Sequence, residues 1–128
     1  MIIGIGTDVV QISRIRKLAE RFSERIGDRI FTPSELAYCL AKADPAVSLA
    51  GRFAAKEAVM KALGTGWGAG VRFIDIEIVR DSSGRPSLSL HGAASEIARG
   101  QGIVAWHLSI AHDGDLAMAM AVAEGRSS

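Results

Sequence analysis

Two carboxylates and a lysine stand out as the chemistry-bearing residues of this chain. Glu57 lies in the stretch Phe53-Ala54-Ala55-Lys56-Glu57-Ala58-Val59-Met60-Lys61-Ala62-Leu63-Gly64. At about 100° of rotation per residue it projects from the helix face that also carries Ala50, Phe53, Met60 and Gly64, where an apolar residue is the norm. Desolvating a carboxylate is costly unless a cation or hydrogen bonds compensate, so a positive partner is expected. Lys61, one turn on, is the nearest, and spacing by itself favours an ordinary Glu57 to Lys61 helical pair of about 0.3 to 0.5 kcal/mol. Asp8 follows the strand-like run Ile2 to Gly6, and a lone Asp in that position is most simply a turn former. Ser109, His112 and Asp115 have the types of a hydrolytic triad, but no nucleophile elbow surrounds Ser109.

The elements that must position these side chains follow from periodicity. The first strand, Ile2 to Gly6, puts Ile3 and Ile5 on one face and Gly4, Gly6 and Asp8 on the other, with Asp8 at its end. The two glycines allow a close approach on the Asp8 side. Ser13 is suited to cap a helix running to about Arg25, with Ile15, Leu18, Ala19 and Phe22 as its apolar stripe. Arg14, Lys17, Arg21 and Arg25 line another face, either a solvated face or a receiver for an acidic partner.

Thr32-Pro33-Ser34-Glu35 reads as a capping box that opens a short helix. Asp44-Pro45 begins a long one that ends at Gly64, a left-handed cap. The glycines at 64, 66, 68 and 70 therefore follow a helix, which argues against a phosphate-cradling Walker loop. Trp67 in that loop is either a core anchor or a lid residue. Phe73 to Arg80 alternates as a strand with Asp75 and Glu77 on a solvated face. A hairpin turn at Asp81 to Pro86, a helix at Ala93 to Arg99, and strands at Ile103 to Ala111 and Leu116 to Ala123 complete the chain. The last strand is apolar on both faces, which suits a subunit contact.

A chain of 128 residues fits one domain, and its net charge of +1 with no aromatic residues among the basic stripe speaks against nucleic acid. One cysteine, Cys39, leaves no internal disulfide and suits a reducing compartment. With no basic leader and no apolar run of membrane-spanning length, a soluble cytoplasmic protein away from membranes is expected.

Three segments together, Gly4-Ile5-Gly6-Thr7-Asp8, Phe53 to Ala58 with Lys61-Ala62 and Gly64, and Leu108-Ser109-Ile110-Ala111-His112, resemble the holo-acyl-carrier-protein synthase family of phosphopantetheinyl transferases. The resemblance covers most of the chain. It implies an α+β fold, a curved antiparallel sheet packed against a long central helix and shorter helices, as a single domain over residues 1–128. It also implies magnesium-dependent transfer of 4′-phosphopantetheine from coenzyme A to a serine of apo-acyl carrier protein, releasing adenosine 3′,5′-bisphosphate, in lipid and fatty-acid biosynthesis. Asp8 and Glu57 are then the magnesium ligands, which is sensible for an ion that takes one or two carboxylates alongside phosphates and water. Lys61 places charge near the transferring phosphate or protonates the leaving one, and either Glu57 or a metal-held water takes the serine proton. The resemblance makes His112 a coenzyme A contact, joined by Lys61, Gly64, Arg52 and the Gly84 to Pro86 turn. Ala111 stands where the family often has Ser. Arg14 and Arg21 are the leading receivers of the acidic carrier protein. A homotrimer follows, with Asp8, Glu57 and Lys61 from one subunit and His112 from the next. The alternative from another class is a non-catalytic regulatory module that binds coenzyme A or a nucleotide.

Overall fold

The computed structural model describes residues 1–21, 28–66 and 68–127. Strand β1 (Ile2–Gln11) runs straight into helix α1 (Ile12–Glu20). Helices α2 (Pro33–Leu40) and α3 (Pro45–Leu63) follow. A single 3-10 turn over Phe73–Asp75 leads into the hairpin β2 (Ile76–Arg80) and β3 (Pro86–Leu90). Helix α4 (Gly92–Gly100) precedes the long strands β4 (Ile103–Asp113) and β5 (Leu116–Gly125). Among the described residues all pairings are antiparallel: a three-stranded sheet in the order β1-β5-β4 and the separate ladder β2-β3. The buried core draws side chains from all the helices, the 3-10 turn, β1, β2 and β5, while β3 and β4 pack partly buried side chains against it.

Helix α3 lies on the inner face of the larger sheet, and small residues set how close it comes. Ala117, Ala119, Ala121 and Ala123 of β5 all point inward and are buried. On β1 the inward positions are Gly4 and Gly6, where a Cβ would collide with the carbonyl oxygens of Ala62 and Ala58. The glycines thus admit the backbone of α3 itself, and this brings Glu57 and Lys61 beside the next inward residue, Asp8. The outer face carries Ile3, Ile5, Val9, Leu116, Met118 and Met120, each at least 36% exposed.

Where the chain caps itself, local signals decide the structure. Thr32 and Glu35 form a complete capping box, and Gly64 ends α3 at φ 78°. Elsewhere long-range packing changed the outcome. β1 continues five residues beyond Gly6, because Thr7 to Gln11 keep pairing with β5, so Asp8 lies within the strand and not at its end. Ser13 sits in the first turn of α1 instead of capping it. The cap comes from Asp115 in the β4–β5 turn, whose carboxylate accepts the Ser13 N–H at 2.9 Å and the Ser13 hydroxyl at 2.6 Å. Phe22 and Arg25, assigned to the far end of that helix, lie outside the described residues.

Asp75 and Glu77 do not form a solvated face. Asp75 is buried and accepts hydrogen bonds from the Arg72 backbone N–H at 3.1 Å and its Nη2 at 2.9 Å. Glu77 accepts from Ser34 at 2.6 Å and Thr32 at 2.7 Å and lies 3.1 Å from His91 Nε2. Those hydroxyls, with His91, hold its pKa down to about 2.

Candidate active site

The long helix presents its charged residues to different surroundings. Glu57 is half-buried, whereas its neighbour Lys56 is fully buried. Lys56 Nζ donates to Glu35 Oε1 at 2.8 Å and to the carbonyls of Phe73 at 3.0 Å and Ile76 at 2.5 Å. Glu35 in turn accepts the backbone N–H groups of Thr32 at 2.9 Å and Ile78 at 3.0 Å. This pair ties α2, α3 and β2 together, and it escaped the sequence reading because the two residues belong to separate helices.

Asp8, Glu57 and Lys61 converge at the flank where α3 crosses β1. Lys61 does not pair with Glu57 as helical spacing favours. Its Nζ donates to Asp8 Oδ1 at 3.2 Å and to the Thr7 carbonyl at 2.9 Å. Glu57 is left with a carboxylate that accepts no hydrogen bond from the described residues. Partial burial and the charge of Asp8 push its pKa up, with Lys61 and Arg14 opposing. A cation between the two acids would relieve that penalty. No group of three or more potential metal ligands forms among the described residues. Two hard carboxylates without a third fit magnesium, which keeps water and substrate phosphates in its shell, better than zinc or calcium.

A second charged region lies on the opposite flank. A cavity of about 510 Å³ is lined by Lys42, Arg52, Arg80 and His112, with Tyr38 and Asp44 at its wall. Arg52 is only 2% exposed, its Nη1 donates to Ser48 Oγ at 3.2 Å, and its buried Nε has no hydrogen-bond partner among the described residues. The step from Arg52 to Lys61 at about 100° per residue ends on the other side of α3. Arg52 and His112 were singled out from sequence. Lys42 and Arg80 were not, since nothing local marks a cation contributed by the connection after a helix or by the end of a strand.

The remaining candidates are placed as follows. Gly64 caps α3 next to Lys61, its N–H donating to the Lys61 carbonyl at 3.1 Å. The Gly84 to Pro86 turn is held by Arg80, which donates to the Gly84 carbonyl at 2.9 Å, beside the cavity. Arg14 on α1 and Arg21, the residue that ends it, are both exposed. Ser109 and His112 fall on opposite faces of β4, and Asp115 is committed to Ser13, so the hydrolytic triad does not exist. Ala111 is exposed on the outer face of β4. Trp67 lies outside the described residues.

An antiparallel α+β frame with two carboxylates and a lysine at the strand–helix crossing is the arrangement of a phosphopantetheinyl transferase. A family model described as the 4′-phosphopantetheinyl transferase superfamily matches residues 4–121, and the chain belongs to that family. It is 44% identical to the holo-[acyl-carrier-protein] synthase of Koribacter versatilis over 97% of this chain and 99% of that protein. It is 48% identical to the protein of the same name from Syntrophotalea carbinolica, over 95% of each. The crystal structure of holo-[acyl-carrier-protein] synthase from Neisseria meningitidis superposes with a TM-score of 0.87 at 42% identity, covering 97% of this chain and 99% of that one. The Helicobacter pylori synthase, in complex with coenzyme A, gives 0.82 at 37% identity over 94% and 99%. The activity is therefore that of a holo-[acyl-carrier-protein] synthase, transfer of phosphopantetheine to an apo-acyl carrier protein. A purely regulatory binding module is set aside.

Proposed function

We propose that the chain takes phosphopantetheine from coenzyme A with Asp8 and Glu57 holding magnesium, Lys61 facing the reacting phosphate, and the site shared between subunits of a homotrimer. The convergence of Asp8, Glu57 and Lys61 is the observation that carries this reading. Magnesium, when bound, neutralises pyrophosphate charge and polarises the reacting phosphorus. The chain's own residues do the rest. Lys61, anchored on Asp8 and the Thr7 carbonyl, presents an ammonium group to the departing oxygen. The carrier serine oxygen bonds to the phosphorus that bears pantetheine, and the bond from that phosphorus to the bridging oxygen breaks. Adenosine 3′,5′-bisphosphate leaves with the electron pair, and Glu57 receives the serine proton.

The Arg52 and His112 cavity receives the nucleotide end of coenzyme A. Its place across α3 from Lys61 supports a site in which His112 belongs to the neighbouring subunit. The exposed apolar face of the larger sheet supports the trimer, because a subunit contact would cover it. Arg14 and Arg21 form the rim that receives the acidic carrier, and Arg14 already acts on Glu57. The free, buried Cys39 suits work in the cytoplasm. Among the described residues no helix is long and apolar enough to cross a membrane.

The direct test is mass spectrometry of apo-carrier protein after incubation with coenzyme A, with and without magnesium. A gain of phosphopantetheine that needs the metal is expected, and an unmodified carrier at high enzyme would end the reading. Sharing of the site is tested by mixing. Inactive Glu57→Ala subunits co-expressed with inactive His112→Ala subunits should regain part of the activity, since some interfaces then carry an intact set. No recovery, with mixed trimers confirmed by mass, would mean each subunit is self-sufficient.

A further inference from the structure

The cavity across α3 from Lys61 gathers three cations that no carboxylate within it neutralises. Its one acid, Asp44, is held by Arg16 of α1 through both oxygens, at 2.8 and 3.0 Å. What the three cations share is an aromatic ring. Arg52 Cζ lies 4.1 Å from the Tyr38 centroid, Lys42 Nζ 4.3 Å and Arg80 Cζ 5.7 Å. Each arrives from a different segment: Lys42 from the connection between α2 and α3, Arg52 from the middle of α3 and Arg80 from the last residue of β2. Like charges at such spacing repel, and the negative face of a ring offsets part of that repulsion. Arg52 is the most constrained of them, with Nε buried and without a hydrogen-bond partner among the described residues. A guanidinium buried with a donor unspent is costly unless an anion completes it.

We propose that Tyr38 is a positioning residue of this pocket. Its ring holds Lys42, Arg52 and Arg80 convergent, so that the pocket takes a phosphate monoester, the 3′-phosphate of coenzyme A, without having to gather the cations first. The proposal rests on reading the cavity as the nucleotide site. Because the 3′-phosphate is not the phosphorus that reacts, Tyr38 acts on binding of the donor and not on the transfer step.

The test compares KM and kcat for coenzyme A with those for 3′-dephospho-coenzyme A, which lacks the monoester. Tyr38→Phe keeps the ring and should stay within about twofold of the wild type for both donors. Tyr38→Leu should raise KM for coenzyme A about tenfold, leave kcat unchanged and leave the dephospho donor unaffected. Tyr38 replaced with pentafluorophenylalanine keeps the shape of the ring while reversing its charge distribution, and should behave like Leu even if the Leu variant folds poorly. Equal losses for both donors, an unchanged KM in the fluorinated variant, or a Phe variant as weak as Leu would each overturn the proposal. Arg52→Ala separates the two levels of the argument. If it fails to discriminate between the donors, the nucleotide reading of the cavity is wrong. If it discriminates and the Tyr38 variants do not, only the positioning role is lost.

Discussion

Lys56 and Lys61 stand on the same helix and both meet a carboxylate, yet their surroundings assign them opposite work. Lys56 is sealed: its ammonium is 0% exposed and spends all three donors on Glu35 and two carbonyls. Burial pushes its pKa down while Glu35 holds it up, and no donor remains for a substrate. Lys61 is open. Its side chain is 53% exposed, and Asp8 with the Thr7 carbonyl occupies only two of its donors. An ammonium anchored at two points and free at the third is suited to meet a phosphate oxygen. The contrast shows that a lysine's role here is set by how many of its hydrogens the fold consumes.

The comparison is broken most strongly at the sealed site. Lys56→Met leaves Glu35 buried without its cation and should cost about 3 to 5 kcal/mol of stability, read from a denaturant midpoint. Adding Glu35→Gln should recover part of that loss, because the stranded charge is then gone. A Lys56→Met protein as stable as the wild type would show that the buried pair is not a clamp.

At the open site the effects should exchange. Lys61→Met should change stability by about 1 kcal/mol or less, since the pair is half in solvent. Transfer activity should fall by about 100-fold or more, as charge facing the transition state is lost. Glu57→Gln should likewise keep its melting temperature and lose activity across a magnesium titration, with Asp8→Asn alike. Near-normal rates in either carboxylate variant would remove these residues from the metal site.

Glu77 sharpens the contrast by acid titration. Its pKa is depressed from 4.5 to about 2 by Ser34 and Thr32. The linked stability is thus present above about pH 4.5 and lost as pH falls from there through about 2. The contribution is on the order of 2 to 3 kcal/mol, reduced for its 19% side-chain exposure. Glu77→Gln should flatten the stability profile in that window, and an unchanged profile would place the acid-sensitive group elsewhere. The smallest effect is expected at the rim. Arg14→Glu with Arg21→Glu should weaken use of the carrier protein in the way high salt does, while coenzyme A affinity stays nearly constant. Equal loss of coenzyme A binding would assign that face to the nucleotide.

Local signals in the chain account for several elements. The Thr32 to Glu35 box, the stop at Gly64, the hairpin at Asp81 to Pro86 and the inward set Gly4, Gly6 and Asp8 all follow from caps, turns and period-two alternation. Identification of Asp8, Glu57, Lys61, Arg52 and His112 needed the resemblance in addition, since spacing alone favoured a helical pair and a turn. Which charge meets which depends on long-range packing. Lys61 turns to Asp8, 53 positions away, Lys56 to Glu35, and Asp115 caps a helix 102 positions back. The reason is physical: a helical neighbour on the surface is worth a few tenths of a kcal/mol, so burial and backbone carbonyls within reach override it. The Tyr38 pocket was likewise hidden, because its cations come from three elements and share a site only after α3 has packed onto the sheet.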